Sequence, residues 1–191
     1  MIQELLKYIG EDKNDNPRTT SLKFKEDLYN FFNTAEYKEV EAVEFGTHKG
    51  QTTYIMSHLF KHVYTINWRF DGKEFETNKE RNNITFLQYD LTKNDPMPIP
   101  TCKVFFIDAI HTYEAVMMDM QKAVKYGTTD VIMVFDDYGL IDDVHRAVNE
   151  NINFGMLEIV TYLGHEPGHE FVGGRILKDH EGVITRLKMP L

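Results

Sequence analysis

Several short stretches of this 191-residue chain carry side chains that could do chemistry. In Glu44-Phe45-Gly46-Thr47-His48-Lys49-Gly50, an apolar run ends in an acid and two glycines follow before helix-like sequence begins at Gln51. A strand that turns abruptly into a helix brings several backbone N–H groups to one point, and glycine there lets a ligand approach without meeting a Cβ. The Glu44 carboxylate makes phosphate a poor guest and a cationic ligand a good one. Further along, Asp108-Ala109-Ile110-His111 and Asp136-Asp137 offer carboxylates and an imidazole. Carboxylates from neighbouring strand ends are the hard oxygen ligands that Mg²⁺ prefers, and an imidazole can accept a proton. Plainer readings stand beside these. Asp136-Asp137 would cap a helix beginning near Leu140, and His111 would be an N-terminal helix residue without a chemical role.

The elements that must position these residues follow from the hydrophobic pattern. Residues 40–45, 62–66, 84–88, 103–107 and 131–135 are short runs rich in Val, Ile and Phe, the signature of strands. Helical-period segments at 51–60, 70–81, 113–125 and 140–153 separate most of them. Such alternation implies parallel strands joined by crossovers, with helices on both faces. Near the end the rhythm changes: 157–163, 171–177 and 182–187 are strand-like with no helix between them, which indicates an antiparallel addition. The expected fold is one doubly wound α/β domain, a mostly parallel sheet with an antiparallel C-terminal ribbon. Residues 1–36 read as an N-terminal helical segment and linker and 37–191 as the ligand-binding domain. Ser21 is positioned to cap a helix over 22–32, and the polar stretch 11–17 links it to a short first helix. In such sheets ligands sit beyond the carboxyl ends of the strands. The strand ends here are Glu44-Phe45-Gly46, Asn67-Trp68, Tyr89-Asp90, Asp108 and Asp136-Asp137. An acid at one tip is an ordinary turn residue; polar or acidic groups at all five tips indicate a ligand cleft.

Composition narrows the class. The chain is 42% hydrophobic and carries a net charge of −9, with no basic run, which argues against a nucleic-acid partner. No apolar stretch has the length of a membrane span and the N-terminus lacks a signal-peptide pattern, so no membrane partner and a cytoplasmic location are expected. A single cysteine, Cys102, excludes an intramolecular disulfide and fits a reducing compartment. A dinucleotide site would need G-x-G-x-x-G; here only Gly46 and Gly50 are present, and Glu44 in place of the first glycine would repel a pyrophosphate.

The stretch E-F-G-T-H-K-G resembles the first motif of class I S-adenosylmethionine-dependent methyltransferases, an acidic residue followed by a G-x-x-x-G loop, and the likeness to that Rossmann-like fold extends over most of the chain. The resemblance implies that Glu44, Gly46, Thr47 and Gly50 cradle the methionine portion of S-adenosylmethionine. It also puts Asn67 where the family usually has an acid on the ribose hydroxyls, Tyr89 and Asp90 at the adenine amino group, and Asp108 among the cofactor-binding residues; Trp68 would lie against the adenine ring or, as a lone aromatic after a strand, simply pack. The run I-D-A-I-H-T-Y-E-A-V from Ile107, followed by D-D-Y at 136–138, is similar to a subgroup that includes macrocin-type sugar O-methyltransferases. Ala109 departs from the glycine usual there. This second likeness implies a divalent metal, Mg²⁺ or Mn²⁺, held by Asp108, Asp136 and Asp137, with His111 as base and Asp108 and His111 as the catalytic pair.

The implied chemistry is coherent. A sugar hydroxyl holds its proton at neutral pH; a bound cation lowers its pKa and an imidazole takes the proton, while methyl transfer needs oxygen, carbon and sulfur in line. The expected acceptor is therefore a small molecule with a hydroxyl. Two alternatives are a metal-independent methyltransferase with a structural Asp136-Asp137 pair, and a non-catalytic S-adenosylmethionine-binding regulatory module. Little chain remains to cover the acceptor, so Arg18-Thr19-Thr20 or a partner subunit of a homo-oligomer would complete the site. His165-x-x-x-His169 has zinc-like spacing, but Pro167 and Gly168 rule out a helical ligand pair and point to a turn, a lip over the cleft.

Overall fold

A computed structural model describes residues 2–10, 20–171 and 173–188. The expected linker at 11–17, together with Arg18 and Thr19, lies outside the described residues. The chain runs α1 (Ile2–Tyr8), α2 (Leu22–Phe32), a 3-10 turn (Tyr37–Glu39), β1 (Glu41–Phe45), α3 (Gln51–Ser57), β2 (His62–Asn67), α4 (Lys73–Asn78), β3 (Ile84–Gln88), β4 (Cys102–Ile107), α5 (Tyr113–Tyr126), β5 (Gly127–Phe135), α6 (Asp142–Asn153), β6 (Leu157–Leu163), β7 (Glu170–Phe171), β8 (Arg175–Ile176) and β9 (Gly182–Leu187).

β1 to β6 and β9 form a seven-stranded sheet in the order β3-β2-β1-β4-β5-β9-β6. The first five strands of the chain are parallel, and β9 inserts antiparallel between β5 and β6. The strand order reverses between β1 and β4, so the crevice that such a reversal opens lies beyond the tips of those two strands. β7 and β8 form a separate hairpin. The strand-like run at 171–177 thus breaks into two short strands, because Gly173 and Gly174 both take positive φ and turn the chain back on itself.

Alternation along each strand builds two apolar layers. Val43, Phe45, Phe105, Ile107, Met133 and Phe135 face α5 and α6, which contribute Val116, Met120, Val144 and Val148. Their neighbours Ala42, Val104, Phe106, Ile132 and Val134 face the other way, onto Leu28 and Phe32 of α2 and Ile55 of α3. Ser21 does cap α2, its hydroxyl accepting from Phe24 N at 3.0 Å. The segment at 70–81 forms only the short α4, since Gly72 at φ +100 starts the helix late; Phe70 stays outside and packs its ring on Phe75 and Phe86. Among the described residues, no helix is long and apolar enough to cross a membrane.

Candidate active site

A cavity of about 380 Å³ opens at the tips of β1, β4 and β5, with Glu44, Gly46, Thr47, Asp108, His111, Asp136 and Asp137 in its wall. The loop after β1 forms one side. Gly46 has φ +93, and a Cβ there would overlap the main chain of Asp108. Gly50, at φ +74, starts α3, where its carbonyl accepts from Asn78 Nδ2 at 2.9 Å and a side chain would collide with that amide. Both glycines are therefore dictated by packing as well as by backbone conformation.

Glu44 is 1% exposed. Its Oε2 accepts from Thr53 and Thr65, each at 2.5 Å, and Thr65 is linked to Thr47 at 2.6 Å, so three hydroxyls tie the loop to the strand. Burial pushes the Glu44 carboxyl up to about 8 despite those two hydrogen bonds. In the apo protein it is thus largely protonated at neutral pH, and not the standing anion that its position at a strand tip suggests. Its Oε1 has no hydrogen-bond partner among the described residues. A buried carboxyl oxygen with a vacant acceptor role, in a cavity wall beside a loop without Cβ atoms, fits the ammonium of a methionine moiety.

Opposite stands the acidic cluster. Asp108, His111 and Asp137 each bring one ligand-type atom within 4.8 Å of the others. His111 Nε2 is 3.1 Å from Asp108 Oδ1, and Nδ1 is 3.6 Å from Asp137 Oδ2. The Asp108 contact raises the His111 pKa against the opposing effect of burial, with further help from Asp137. Asp136, expected to be a third carboxylate ligand, lines the same cavity but lies outside that trio of convergent donor atoms. It is 6% exposed, and burial, reinforced by Asp108 and Asp137, holds its carboxyl well above the usual range. Burial also raises Asp137, partly offset by His111. Asp137 adopts φ +56, an uncommon backbone for a non-glycine residue that turns its carboxylate toward His111. Asp136 and Asp137 do not cap a helix near Leu140, and His111 stands just outside the helix it was expected to begin. α6 begins at Asp142 with no side-chain cap, and His111 precedes Thr112, whose hydroxyl caps α5. Two carboxylates and an imidazole at convergent positions form a donor set suited to a divalent cation.

The tips of β2 and β3 lie outside this cavity wall. Asn67 donates its amide to Arg69 O at 2.9 Å and accepts from Trp68 N at 3.2 Å. Trp68 is 69% exposed. Asp90 accepts from Thr92 N and Oγ1, and the Tyr89 hydroxyl donates to Asp95 O. These side chains stand at the same edge of the sheet as the cavity but are engaged in their own turns. The wall also includes Thr20, from the expected Arg18-Thr19-Thr20 segment, and Phe171, Arg175 and Glu181, for which the sequence carries no motif. Glu181 is 2% exposed and accepts from Ser21 N (2.8 Å), Ser21 Oγ (2.6 Å) and His165 N (3.2 Å), fastening the start of α2 to the C-terminal strands. His165 and His169 stack at 3.6 Å with Phe171 edge-on to both, so the turn between them supports a cavity residue.

With the glycine loop, the buried acid and the strand order in place, the chain belongs to the methyltransferase-domain family, whose model matches residues 43–138, and it is a class I S-adenosylmethionine-dependent methyltransferase. Its fold is similar to that of the tRNA (m1A58) methyltransferase TrmI from Aquifex aeolicus, at a TM-score of 0.68 and 18% identity over 96% of this chain and 75% of the other. An O-methyltransferase from Bacillus cereus in complex with S-adenosylhomocysteine gives 0.66 at 15% identity, over 97% and 89% of the two chains. The N-methyltransferase NodS from Bradyrhizobium japonicum gives 0.60 at 13%, over 88% and 97%. No curated protein sequence matches the chain. At these identities the solved structures show a common fold serving different acceptors, so the acceptor must be argued from the site.

Proposed function

We propose that the protein is a metal-assisted O-methyltransferase acting on a hydroxyl of a sugar-like or other small molecule. The observation that carries this reading is the convergence of Asp108, His111 and Asp137 in the cavity that the glycine loop also lines. When bound, S-adenosylmethionine supplies a methyl group on a sulfonium, which an acceptor oxygen takes by in-line displacement as the S–C bond breaks. Asp108 and Asp137 would hold a divalent ion, which would supply Lewis acidity to the acceptor hydroxyl. Glu44 Oε1 would hold the methionine ammonium, its carboxyl giving up its proton to solvent on binding. His111, held between two carboxylates, is placed to take the hydroxyl proton; Asp108 and Asp137 stabilise the imidazolium that results. Asn67, Trp68, Tyr89 and Asp90 line the sheet edge on which the adenosine portion would lie.

One observation favours a second reading, without a metal. His111 bridges Asp108 and Asp137, so a protonated imidazole already supplies a cation to the cluster. Methyl transfer to a panel of glycosides and small phenols, with and without EDTA, separates the two. Activity abolished by chelation and restored by Mg²⁺ or Mn²⁺ supports the metal-assisted enzyme; activity indifferent to EDTA selects the second reading. Failure to bind S-adenosylhomocysteine at millimolar concentration would remove both.

A further inference from the structure

α6 contributes no residue to the acidic cluster, yet it grips both segments that do. His145 and Asn149, one turn apart, hold Tyr138. Asn149 Nδ2 donates to the Tyr138 hydroxyl at 2.9 Å, and the His145 ring lies 4.8 Å from the tyrosine ring at a tilt of 33°. His145 Nε2 also meets Asp179 Oδ2 at 3.1 Å, in the segment against which Gly139 packs. One position further along the helix, Arg146 and Glu150 hold Tyr113. The Tyr113 hydroxyl donates to Glu150 Oε2 at 2.6 Å, and the Arg146 guanidinium carbon lies 4.1 Å from the ring centroid. Tyr138 follows Asp137 directly, and Tyr113 is the second residue after His111. The opposite side of α6 is fixed to the sheet by Val144, Ala147 and Val148, none more than 2% exposed.

We infer that α6 is a strut that sets the separation of Asp137 from His111, and that Tyr113, Glu150, Tyr138 and Asn149 are positioning residues for the cation-binding cluster. The inference rests on the metal-assisted reading above. The need for such a strut is physical. Asp108, Asp136 and Asp137 repel one another whenever two are ionised, and Asp137 sits on an uncommon backbone conformation, so the cluster would relax apart unless its two sides were held. A helix with two i,i+4 pairs offset by one residue provides two adjacent grips on one rigid body.

The test uses Mn²⁺ as the probe, followed by electron paramagnetic resonance, with S-adenosylhomocysteine affinity from calorimetry and urea unfolding measured on the same proteins. Partners that orient metal-ligating side chains cost about 10–100-fold in metal affinity when removed, so Tyr113→Phe, Tyr138→Phe and Glu150→Ala are each expected to weaken Mn²⁺ binding about tenfold or more. S-adenosylhomocysteine affinity should stay unchanged. Glu150→Gln, whose amide oxygen can still accept from Tyr113, should restore Mn²⁺ affinity close to wild type. Ile184→Val, a core change on the other face of the sheet, should lower stability without altering Mn²⁺ affinity. Wild-type Mn²⁺ affinity in the tyrosine variants, or a loss of Mn²⁺ affinity that merely tracks stability and appears in Ile184→Val too, overturns the strut. Absence of Mn²⁺ binding by the wild-type protein is a different result: it removes the metal-assisted reading, and this inference with it.

Discussion

Gly46 and Asp108 are in direct main-chain apposition: the space where a Gly46 side chain would be is filled by the Asp108 carbonyl. The loop that faces the cofactor and the strand end that carries the first cluster carboxylate therefore share one boundary. A displacement of either is transmitted to the other without any side chain between them.

Gly46→Ala should show this coupling. The methyl group must force the two main chains apart and also sits on a residue at φ +93. Overpacking alone costs about 1–3 kcal/mol, so a loss near or above the top of that range is expected in urea unfolding. Cofactor affinity and Mn²⁺ affinity should fall together, which calorimetry with each probe separately will reveal.

Glu44 predicts an unusual pH profile. Its folded carboxyl titrates at about 8 against an ordinary 4.5, so across that interval the folded chain binds a proton that the unfolded chain has lost. This contribution is fully present below pH 4.5 and is lost as the pH rises through 8, the reverse of a salt-bridged acid. Asp119, pushed up to about 7 by burial, acts in the same sense. The stability of the apo protein should decline between pH 5 and 8, and Glu44→Gln should flatten part of that slope.

Cofactor binding should draw the proton off Glu44. Calorimetry of S-adenosylhomocysteine at pH 7 in buffers of different ionisation enthalpy is expected to report release of about one proton. Glu44→Gln should abolish the release and weaken binding about tenfold or more, since a hydrogen bond between charged groups contributes about 1.5–3 kcal/mol. Unchanged proton release in Glu44→Gln would show that another group ionises.

His111→Ala is expected to keep S-adenosylhomocysteine affinity while lowering turnover by about 10²–10⁴, the usual worth of a positioned general base. Full turnover in that variant would remove the proton-acceptor role. Asp137→Asn should reduce Mn²⁺ affinity, and Asp136→Asn, outside the trio of convergent donor atoms, should reduce it less.

Ser21→Ala removes both a helix cap and a hydroxyl donor to Glu181. A lost cap costs about 1–2 kcal/mol, and the buried Glu181 carboxylate loses a partner besides. Urea unfolding should show a loss at or beyond the upper value, and Ser21→Thr should recover most of it.

Much of this arrangement can be read from the residues alone. Runs of Val, Ile and Phe announce the strands because burial on both faces demands them, and the acids that end β1, β4 and β5 fall at one edge once the strands are parallel. What cannot be read is orientation and distance along the chain. Asp136 and Asp137 look equivalent as a pair, but Asp137, at φ +56, brings a carboxylate oxygen to 3.6 Å from His111, while Asp136 is buried in the same cavity wall outside the convergent trio. Asn67 and Asp90 lie where the strand pattern puts them, yet local hydrogen bonds direct their side chains into turns. Glu181, Phe171 and Arg175 reach the cavity through long-range packing of the C-terminal segments, for which no local signal exists.

The insertion of β9 between β5 and β6 has a consequence for biogenesis. Among the described strands β6 pairs only with β9, which follows it in the chain, so that pairing waits until the chain has been synthesised through Leu187. The turn bearing Asp136 and Asp137 is likewise buttressed by residues just ahead of that strand. A ribosome-bound nascent chain can therefore fold the glycine loop and its hydroxyl network early, while the side that carries Asp136 and Asp137 waits for β9.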